Sequence, residues 1–156
     1  MRSRYRIVYG IGIVAIILDQ LTKWLVTEQI PLWSGFTVIP GYFNMVHVLN
    51  RGAAFGFLNN TDTTWQIWMF SAAAVVASVA VHMMARSATY NRILFTALGL
   101  ILGGAIGNLI DRVRIGAVID FLDFYYKTYH WPAFNVADIA ICIGAALMLF
   151  TLRDIK

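Results

Sequence analysis

Charged residues and cysteine are both scarce in this chain of 156 residues. Asp, Glu, Lys and Arg together make up 13% of it, about half the usual share in a soluble domain. The single cysteine, Cys142, excludes a disulfide within the chain and argues against a cysteine-based metal site. No H-E-x-x-H, G-x-S-x-G or phosphate-loop pattern occurs either. The sequence therefore lacks the signatures of zinc proteases, serine hydrolases and P-loop proteins.

Apolar residues, by contrast, are abundant. They form 60% of the chain, and the mean hydropathy is +0.69. A core of this size cannot hide so much apolar surface from water, so part of that surface must face lipid. The formal net charge is +4, but no run of basic residues occurs after residue 6. A membrane that collects Lys and Arg on one side explains this charge without a nucleic-acid partner.

Four windows are long and apolar enough to cross the roughly 30 Å hydrocarbon layer as helices. They cover about residues 7–26, 65–84, 93–110 and 134–152. We therefore expect a mainly α, integral membrane domain over residues 1–156, built as a bundle of four transmembrane helices.

The basic residues set the orientation of this bundle. They concentrate at the N-terminus, between the second and third windows, and at the C-terminus. The positive-inside rule places these parts, including both termini, in the cytoplasm. Segments 27–64 and 111–133 are then extracytoplasmic. In the first of these, stretches 36–39 and 43–49 are rich in β-branched and aromatic residues and predict a small β-hairpin.

Ionisable residues inside a membrane are costly and mark candidate functional sites. Asp138 lies about 6 Å along the fourth window from Phe134, just below the outer surface. Asn135 precedes it by three residues and lies on a similar face. A polar residue that merely bonds to a neighbouring helix is the structural alternative for Asp138.

The first and third windows carry further polar residues toward the outer surface. Asp19 and Lys23 have the i, i+4 spacing of an ion pair, either purely structural or supporting a nearby site. Asn108 and Arg112 share a helix face, and Arg112 either reaches the headgroups or holds a carboxylate or carbonyl. The glycines of the third window predict close helix packing and no chemistry; they are Gly99, Gly103 and Gly107.

Asp120 differs from the other outer acids, Asp111 and Asp123, because Ile119 and Phe121 flank it. An apolar setting raises the pKa of a carboxyl group, which can then keep its proton at neutral pH. If Asp120 meets Asp138, the pair shares one proton and can activate water as in aspartic proteases. This meeting requires the chain to leave the third helix within residues 113–119.

Two other functions remain open on these residues. A small transporter subunit would use the same acids as a proton or ion relay, and an assembly or lipid-binding factor would hold them for structure alone. A relay predicts polar groups at several depths, whereas the polar residues here cluster toward the outer face. This clustering favours a one-sided site.

Five short motifs give the chain a close resemblance to the bacterial lipoprotein signal peptidases (signal peptidase II). The motifs occur in that family's order along nearly the whole chain. They are residues 19–23 (DQLTK), 50–56 (NRGAAFG), 107–112 (GNLIDR), 118–121 (VIDF) and 134–138 (FNVAD).

The resemblance implies an aspartyl endopeptidase of the bacterial inner membrane with its active site near the outer face. Its substrate would be a diacylglyceryl-modified prolipoprotein, cleaved just before the lipidated cysteine. It would contact membrane lipids, need no metal or organic cofactor, and be blocked by globomycin-type peptides. The catalytic pair falls on Asp120 and Asp138. The residues implied to bind substrate or support the site are Asn50, Gly52, Phe55, Asn108, Arg112, Asn135, Asp19 and Lys23. Residues 50–57 match the family's mobile segment over the site.

Overall fold

A computed structural model of the chain describes residues 2–52 and 65–153. Four helices and four strands lie in these ranges. In chain order they are α1 (Arg2–Gln29), β1 (Gly35–Ile39), β2 (Phe43–Asn50), α2 (Trp65–Ser87), α3 (Arg92–Ile115), β3 (Val118–Tyr126), β4 (Tyr129–His130) and α4 (Val136–Arg153). The mainly α class with a small β element is confirmed.

Three of the helices are long and apolar enough to cross a membrane. These stretches are Ser3–Gln29, Trp65–Ser87 and Arg92–Ile115, while the apolar part of α4, Val136–Thr151, is shorter. Most of the apolar stretch of α2 is exposed, whereas more than half of that of α3 is buried. An exposed apolar helix is what a lipid solvent permits and water does not.

Helix α3 is the centre of the bundle and packs on α1, α2 and α4. The predicted close packing at its glycines is confirmed. A Cβ on Gly103 would lie 2.6 Å from Ala15 Cβ, and one on Gly99 would lie 2.7 Å from the carbonyl oxygen of Val8, both on α1. A similar approach joins α3 to α4, where a Cβ on Gly104 would meet the carbonyl oxygen of Ala137. These contacts bring the polar faces of α1, α3 and α4 together at one end.

The predicted hairpin is present as β1 and β2, but it belongs to a larger sheet. The order is β1-β2-β3-β4, and every neighbouring pair is antiparallel. Strand β3 was not expected from the sequence, which placed residues 111–133 in an extracytoplasmic segment and predicted no strand there. It pairs with β2 so that Asp120 lies opposite Val48. The sheet therefore fixes the position of Asp120.

The path from α3 into β3 differs slightly from the expectation. Helix α3 continues through Ile115, so residues 111–115, assigned to an outer segment, are helical. The chain leaves the helix at Gly116, whose φ of 69° lies in the left-handed region that favours glycine. The break thus falls in the middle of the predicted 113–119 interval, and residues 113–115 are still helical. Residues 27–29, also assigned to an outer segment, likewise continue α1.

A second connection delivers the start of α4 to the sheet. Phe134 forms a β-bridge with Leu122: its amide donates to the Leu122 carbonyl at 3.1 Å and its carbonyl accepts from the Leu122 amide at 2.9 Å. Asn135 follows directly, and α4 begins at Val136. The bridge therefore places the first turn of α4 beside Asp120.

Candidate active site

Asp120 on β3 and Asp138 in the first turn of α4 are joined through Asn135. The Asn135 Nδ2 donates to Asp120 Oδ1 at 2.7 Å. The backbone amide of Asn135 donates to Asp138 Oδ2 at 3.3 Å. Between these two described carboxyl groups there is no direct hydrogen bond. One asparagine thus bridges two acids that are 18 positions apart in the sequence.

The same two residues cap α4. Asp138 donates its backbone amide to Asn135 Oδ1 at 2.9 Å, while its carboxylate accepts from the Asn135 amide. This reciprocal pair is a capping box, in which residues three apart satisfy amides that the first helical turn leaves free. Local helix chemistry therefore fixes the Asp138 side chain in place before any tertiary contact is counted.

Two further asparagines point amide donors at the acids. Asn50, the last residue of β2, donates from Nδ2 to Asp120 Oδ2 at 3.1 Å. Asn108 of α3 donates from Nδ2 to Asp138 Oδ1 at 2.8 Å. Each carboxyl oxygen of the pair therefore accepts one hydrogen bond from a nitrogen of the protein.

The electrostatic setting of Asp120 follows from its burial. Its relative exposure is 2%. Burial and, secondarily, the charge of Asp138 raise the pKa of Asp120 to about 7, against the opposing effect of the Asn50 and Asn135 hydrogen bonds. Asp120 is thus poised to gain or lose a proton near neutral pH.

A buried ion cluster supports this pair from behind. The predicted ion pair is confirmed, with Lys23 Nζ 2.8 Å from Asp19 Oδ2. Lys23 Nζ also lies 2.7 Å from Asp111 Oδ2, and Asp19 Oδ1 accepts from the backbone amide of Ala137 in α4 at 2.9 Å. All three charged side chains are at most 3% exposed. The cluster ties α1, α3 and α4 together beside Asp138, since Ala137 directly precedes that residue.

Asp111 corrects one expectation. It was counted with Asp123 as an acid of an outer segment without the apolar neighbours that indicate burial, yet it is buried on α3 and also accepts from Gln20 Nε2 at 3.0 Å. The sequence analysis did not predict either of its partners, Lys23 or Gln20. The available signal was spacing, since Asp111 follows Asn108 by three residues and so shares its helix face.

Arg112 lies at the edge of the site. Its Nη2 donates to the carbonyl oxygen of Gly52 at 3.0 Å, and its guanidinium lies 5.4 Å from the ring centroid of Phe70 on α2. Its Nε has no hydrogen-bond partner within the part of the chain that the structure describes. Phe55 and the rest of residues 53–64 lie outside that part. The structure therefore gathers every other predicted site residue at one end of the bundle, and their roles stay predictions.

Comparison with known proteins finds a matching family model and closely similar relatives. Residues 11–153 match the family model described as "Signal peptidase (SPase) II". The chain is 60% identical over 145 residues to the lipoprotein signal peptidase of Oleidesulfovibrio alaskensis, covering 93% of each chain. It is 56% identical over 144 residues to that of Nitratidesulfovibrio vulgaris, covering 92% of this chain and 87% of the relative.

Solved structures agree with the sequence comparison. A bacterial membrane enzyme determined by the in meso method at 2.3 Å resolution superposes with a TM-score of 0.80 at 33% identity, covering 92% of this chain and 85% of that one. A second bacterial membrane enzyme, determined by the same method at 1.9 Å, gives a TM-score of 0.77 at 31% identity, covering 94% and 92%. The fold of this chain is thus similar to that of known membrane enzymes.

Proposed function

The chain belongs to the signal peptidase II family, and we propose that it removes signal peptides from diacylglyceryl-modified prolipoproteins by aspartyl chemistry. Cleavage falls just before the lipidated cysteine. The curated relatives named above, which match this chain over nearly their whole length, support the reaction. The bridging of Asp120 and Asp138 by Asn135 is the single observation that carries the mechanism.

In this mechanism Asp120 is the general acid and Asp138 is the general base in the first step. Asp120, whose pKa lies near 7, holds the shared proton, and Asp138 is ionised. The Asp138 carboxylate takes a proton from a water molecule, whose oxygen attacks the scissile carbonyl carbon. Asp120 donates its proton to the carbonyl oxygen, which gives a neutral tetrahedral intermediate.

Collapse of the intermediate restores the pair. The carbon–nitrogen bond breaks as Asp138 gives its proton to the leaving amine, and a hydroxyl of the intermediate returns a proton to Asp120. The products are the carboxylic acid end of the signal peptide and the free amine of the lipidated cysteine. One water is consumed, and both acids regain their starting protonation states.

The surroundings of the acids suit an extended peptide. A peptide in an extended conformation presents backbone groups that need partners. The Arg112 guanidinium, whose buried Nε–H has no partner among the described residues, would donate to a substrate carbonyl, and the nearby Gly52 allows a backbone to approach closely. We assign Arg112, Asn50 and Gly52 to substrate binding, and a globomycin-type peptide would occupy the same contacts.

The membrane disposition follows from where the polar residues lie. We propose that α4 crosses the bilayer as a fourth span, with both termini in the cytoplasm and the acids just below the outer surface of the inner membrane. The acids, Asn108 and Asn135 lie at one end of the bundle, which fits a lipid-anchored substrate held at the headgroups. An ion relay would instead need charged groups along the depth of the bundle.

The reaction is tested with purified protein and a diacylglyceryl-modified precursor. We expect cleavage to release a peptide ending immediately before the modified cysteine, as read by mass spectrometry of both products. The same precursor without the lipid serves as the matched control and should be cut far more slowly. Absence of cleavage, or cleavage at another bond, would contradict the proposed function.

A further inference from the structure

Three asparagines surround the two acids, and all three present nitrogen rather than oxygen to them. Asn50 and Asn135 donate from Nδ2 to the two oxygens of Asp120, and Asn108 donates from Nδ2 to Asp138 Oδ1. An amide side chain can rotate by half a turn, which exchanges its donor and acceptor ends. In the rotated state its oxygen would face a carboxyl oxygen, and at an ionised acid such as Asp138 the two oxygens would repel each other. Some other group must therefore fix each amide.

In each case the fixing group is a pure donor on the amide oxygen. Asn50 Oδ1 accepts from the backbone amide of Gly52 at 2.9 Å. Asn135 Oδ1 accepts from the backbone amide of Asp138 at 2.9 Å. Asn108 Oδ1 accepts from Lys23 Nζ at 3.0 Å. A backbone N–H and an ammonium group have no acceptor capacity, so each specifies which end of the amide faces it.

Lys23 is itself held so that it cannot turn away. Its ammonium has three donors, and three oxygens surround it: Asp19 Oδ2 at 2.8 Å, Asp111 Oδ2 at 2.7 Å and Asn108 Oδ1 at 3.0 Å. The side chain is only 2% exposed, and it makes no hydrogen bond to Asp120 or Asp138. Its hydrogen-bonded route to Asp138 runs through Asn108, while its charge also acts through space on Asp120, where it favours the ionised form.

We propose that Lys23 is a positioning residue that locks Asn108 in its donor orientation and so keeps Asp138 supplied with a hydrogen bond. This role rests on the proposed function and adds to it, because it assigns a task in the reaction to a buried ion cluster that otherwise reads as structural. Without Lys23 the Asn108 oxygen keeps only a 3.2 Å hydrogen bond from Asn135 Nδ2, a donor that also serves Asp120. The Asn108 amide is then held less firmly in its donor orientation toward Asp138.

The test is a double-mutant cycle in the full-length enzyme. Lys23→Met should lower kcat by on the order of 10²-fold, the usual loss when one oriented donor is removed from a reacting site. KM should change little, because the buried Lys23 does not reach the substrate. In an Asn108→Ala background the same Lys23→Met change should lower kcat by less than about tenfold, since the two changes remove one shared interaction and only the through-space effect of the Lys23 charge remains.

Gln20→Leu is the matched control. It removes the hydrogen bonds from Gln20 Nε2 to Asp19 and Asp111 but leaves the Lys23–Asn108 hydrogen bond in place. We expect it to lower the melting temperature while kcat stays within about fivefold of wild type. If Lys23→Met does not fold, the charge-balanced variant Lys23→Met/Asp111→Asn replaces it, because that pair removes one positive and one negative charge from the cluster.

The outcomes separate the positioning role of Lys23 from the proposed function. The positioning role is wrong if the loss of kcat in the double variant equals the product of the losses in Lys23→Met and Asn108→Ala. It is also wrong if Lys23→Met lowers stability but leaves kcat unchanged. In both cases the proposed function stands. If the wild-type enzyme cleaves no lipidated precursor, the proposed function fails and the positioning role fails with it.

Discussion

At the scale of single residues, the site depends on placing a carboxyl group where water is scarce and then surrounding it with nitrogen donors. Asp120 is 2% exposed, and its two oxygens accept from the amide groups of Asn50 and Asn135. Burial favours the neutral acid, whereas the two donors favour the carboxylate. Burial is the larger effect, so the pKa of Asp120 rises to about 7.

This pKa makes the stability of the fold depend on pH. Between the ordinary value of 3.8 and about 7, folded Asp120 keeps a proton that the unfolded chain has lost. The unfolding free energy therefore falls as pH rises through this interval, by at most about 4 kcal/mol from this group. Asp120→Asn removes the titration, so its melting temperature relative to wild type should increase between pH 5 and pH 8.

The measurement is thermal unfolding in detergent at a series of pH values. Glu28→Gln, which removes an exposed carboxyl group at the end of α1, is the control, and its difference from wild type should stay level across the series. A level or falling difference for Asp120→Asn would contradict the assignment of a raised pKa.

Residue spacing was enough to predict some of these contacts and not others. The i, i+4 pair of Asp19 and Lys23 is visible in the sequence because helix geometry is local. The apolar neighbours of Asp120 were a correct signal of its burial. Asp111 was misjudged because its burial depends on Lys23, which comes from a helix that packs alongside and is 88 positions earlier. Such burial is a tertiary property that local composition does not encode.

At the scale of elements, the end of α3 and the start of α4 place the two acids. Helix α3 ends at Gly116, and the chain turns into β3, which delivers Asp120. The bridge between Leu122 and Phe134 then starts α4 beside that strand. The helices and the β1–β2 hairpin were predictable from their periodicity and turn residues. The pairing of β3 with β2 was not, because it joins segments about 75 residues apart, and strand pairing over that distance has no local signature.

Close packing of α1 on α3 is the element-level feature that a substitution tests most simply. A Cβ on Gly103 would lie 2.7 Å from the backbone oxygen of Gly12 as well as close to Ala15. Gly103→Ala should therefore lower the unfolding free energy by about 1–3 kcal/mol, since the helices must move apart. Thermal unfolding and denaturant titration in detergent would measure the change.

Gly10→Ala is the matched control for this packing. It places the same methyl group on α1 where, apart from the adjoining helix backbone, no atom of the described residues lies within 4 Å of the added Cβ. We expect its stability to equal or slightly exceed that of wild type, because alanine favours helix more than glycine does. Equal losses of stability in Gly103→Ala and Gly10→Ala would show that the close contact between α1 and α3 is not the reason for a glycine at position 103.

At the scale of the whole molecule, the fold brings four separate segments to one end of a bundle. The end of β2 supplies Asn50, β3 supplies Asp120, the C-terminal half of α3 supplies Asn108, and the start of α4 supplies Asn135 and Asp138. The ion cluster of Asp19, Lys23 and Asp111 holds α1, α3 and α4 in the relative positions that this convergence requires. The resulting polar end lies on an otherwise apolar body, which suits a substrate anchored in the same membrane.

The central claim is that Asp120 and Asp138 act as one unit in hydrolysis, and single-turnover cleavage of a lipidated precursor tests it directly. Asp120→Asn and Asp138→Asn should each lower the rate by at least about 10³-fold, with the double variant no slower, while all three still bind the precursor. Asp123→Asn, which removes another acid of β3, should stay within about tenfold of wild type. Retention of a near-wild-type rate by either Asp120→Asn or Asp138→Asn would contradict the account.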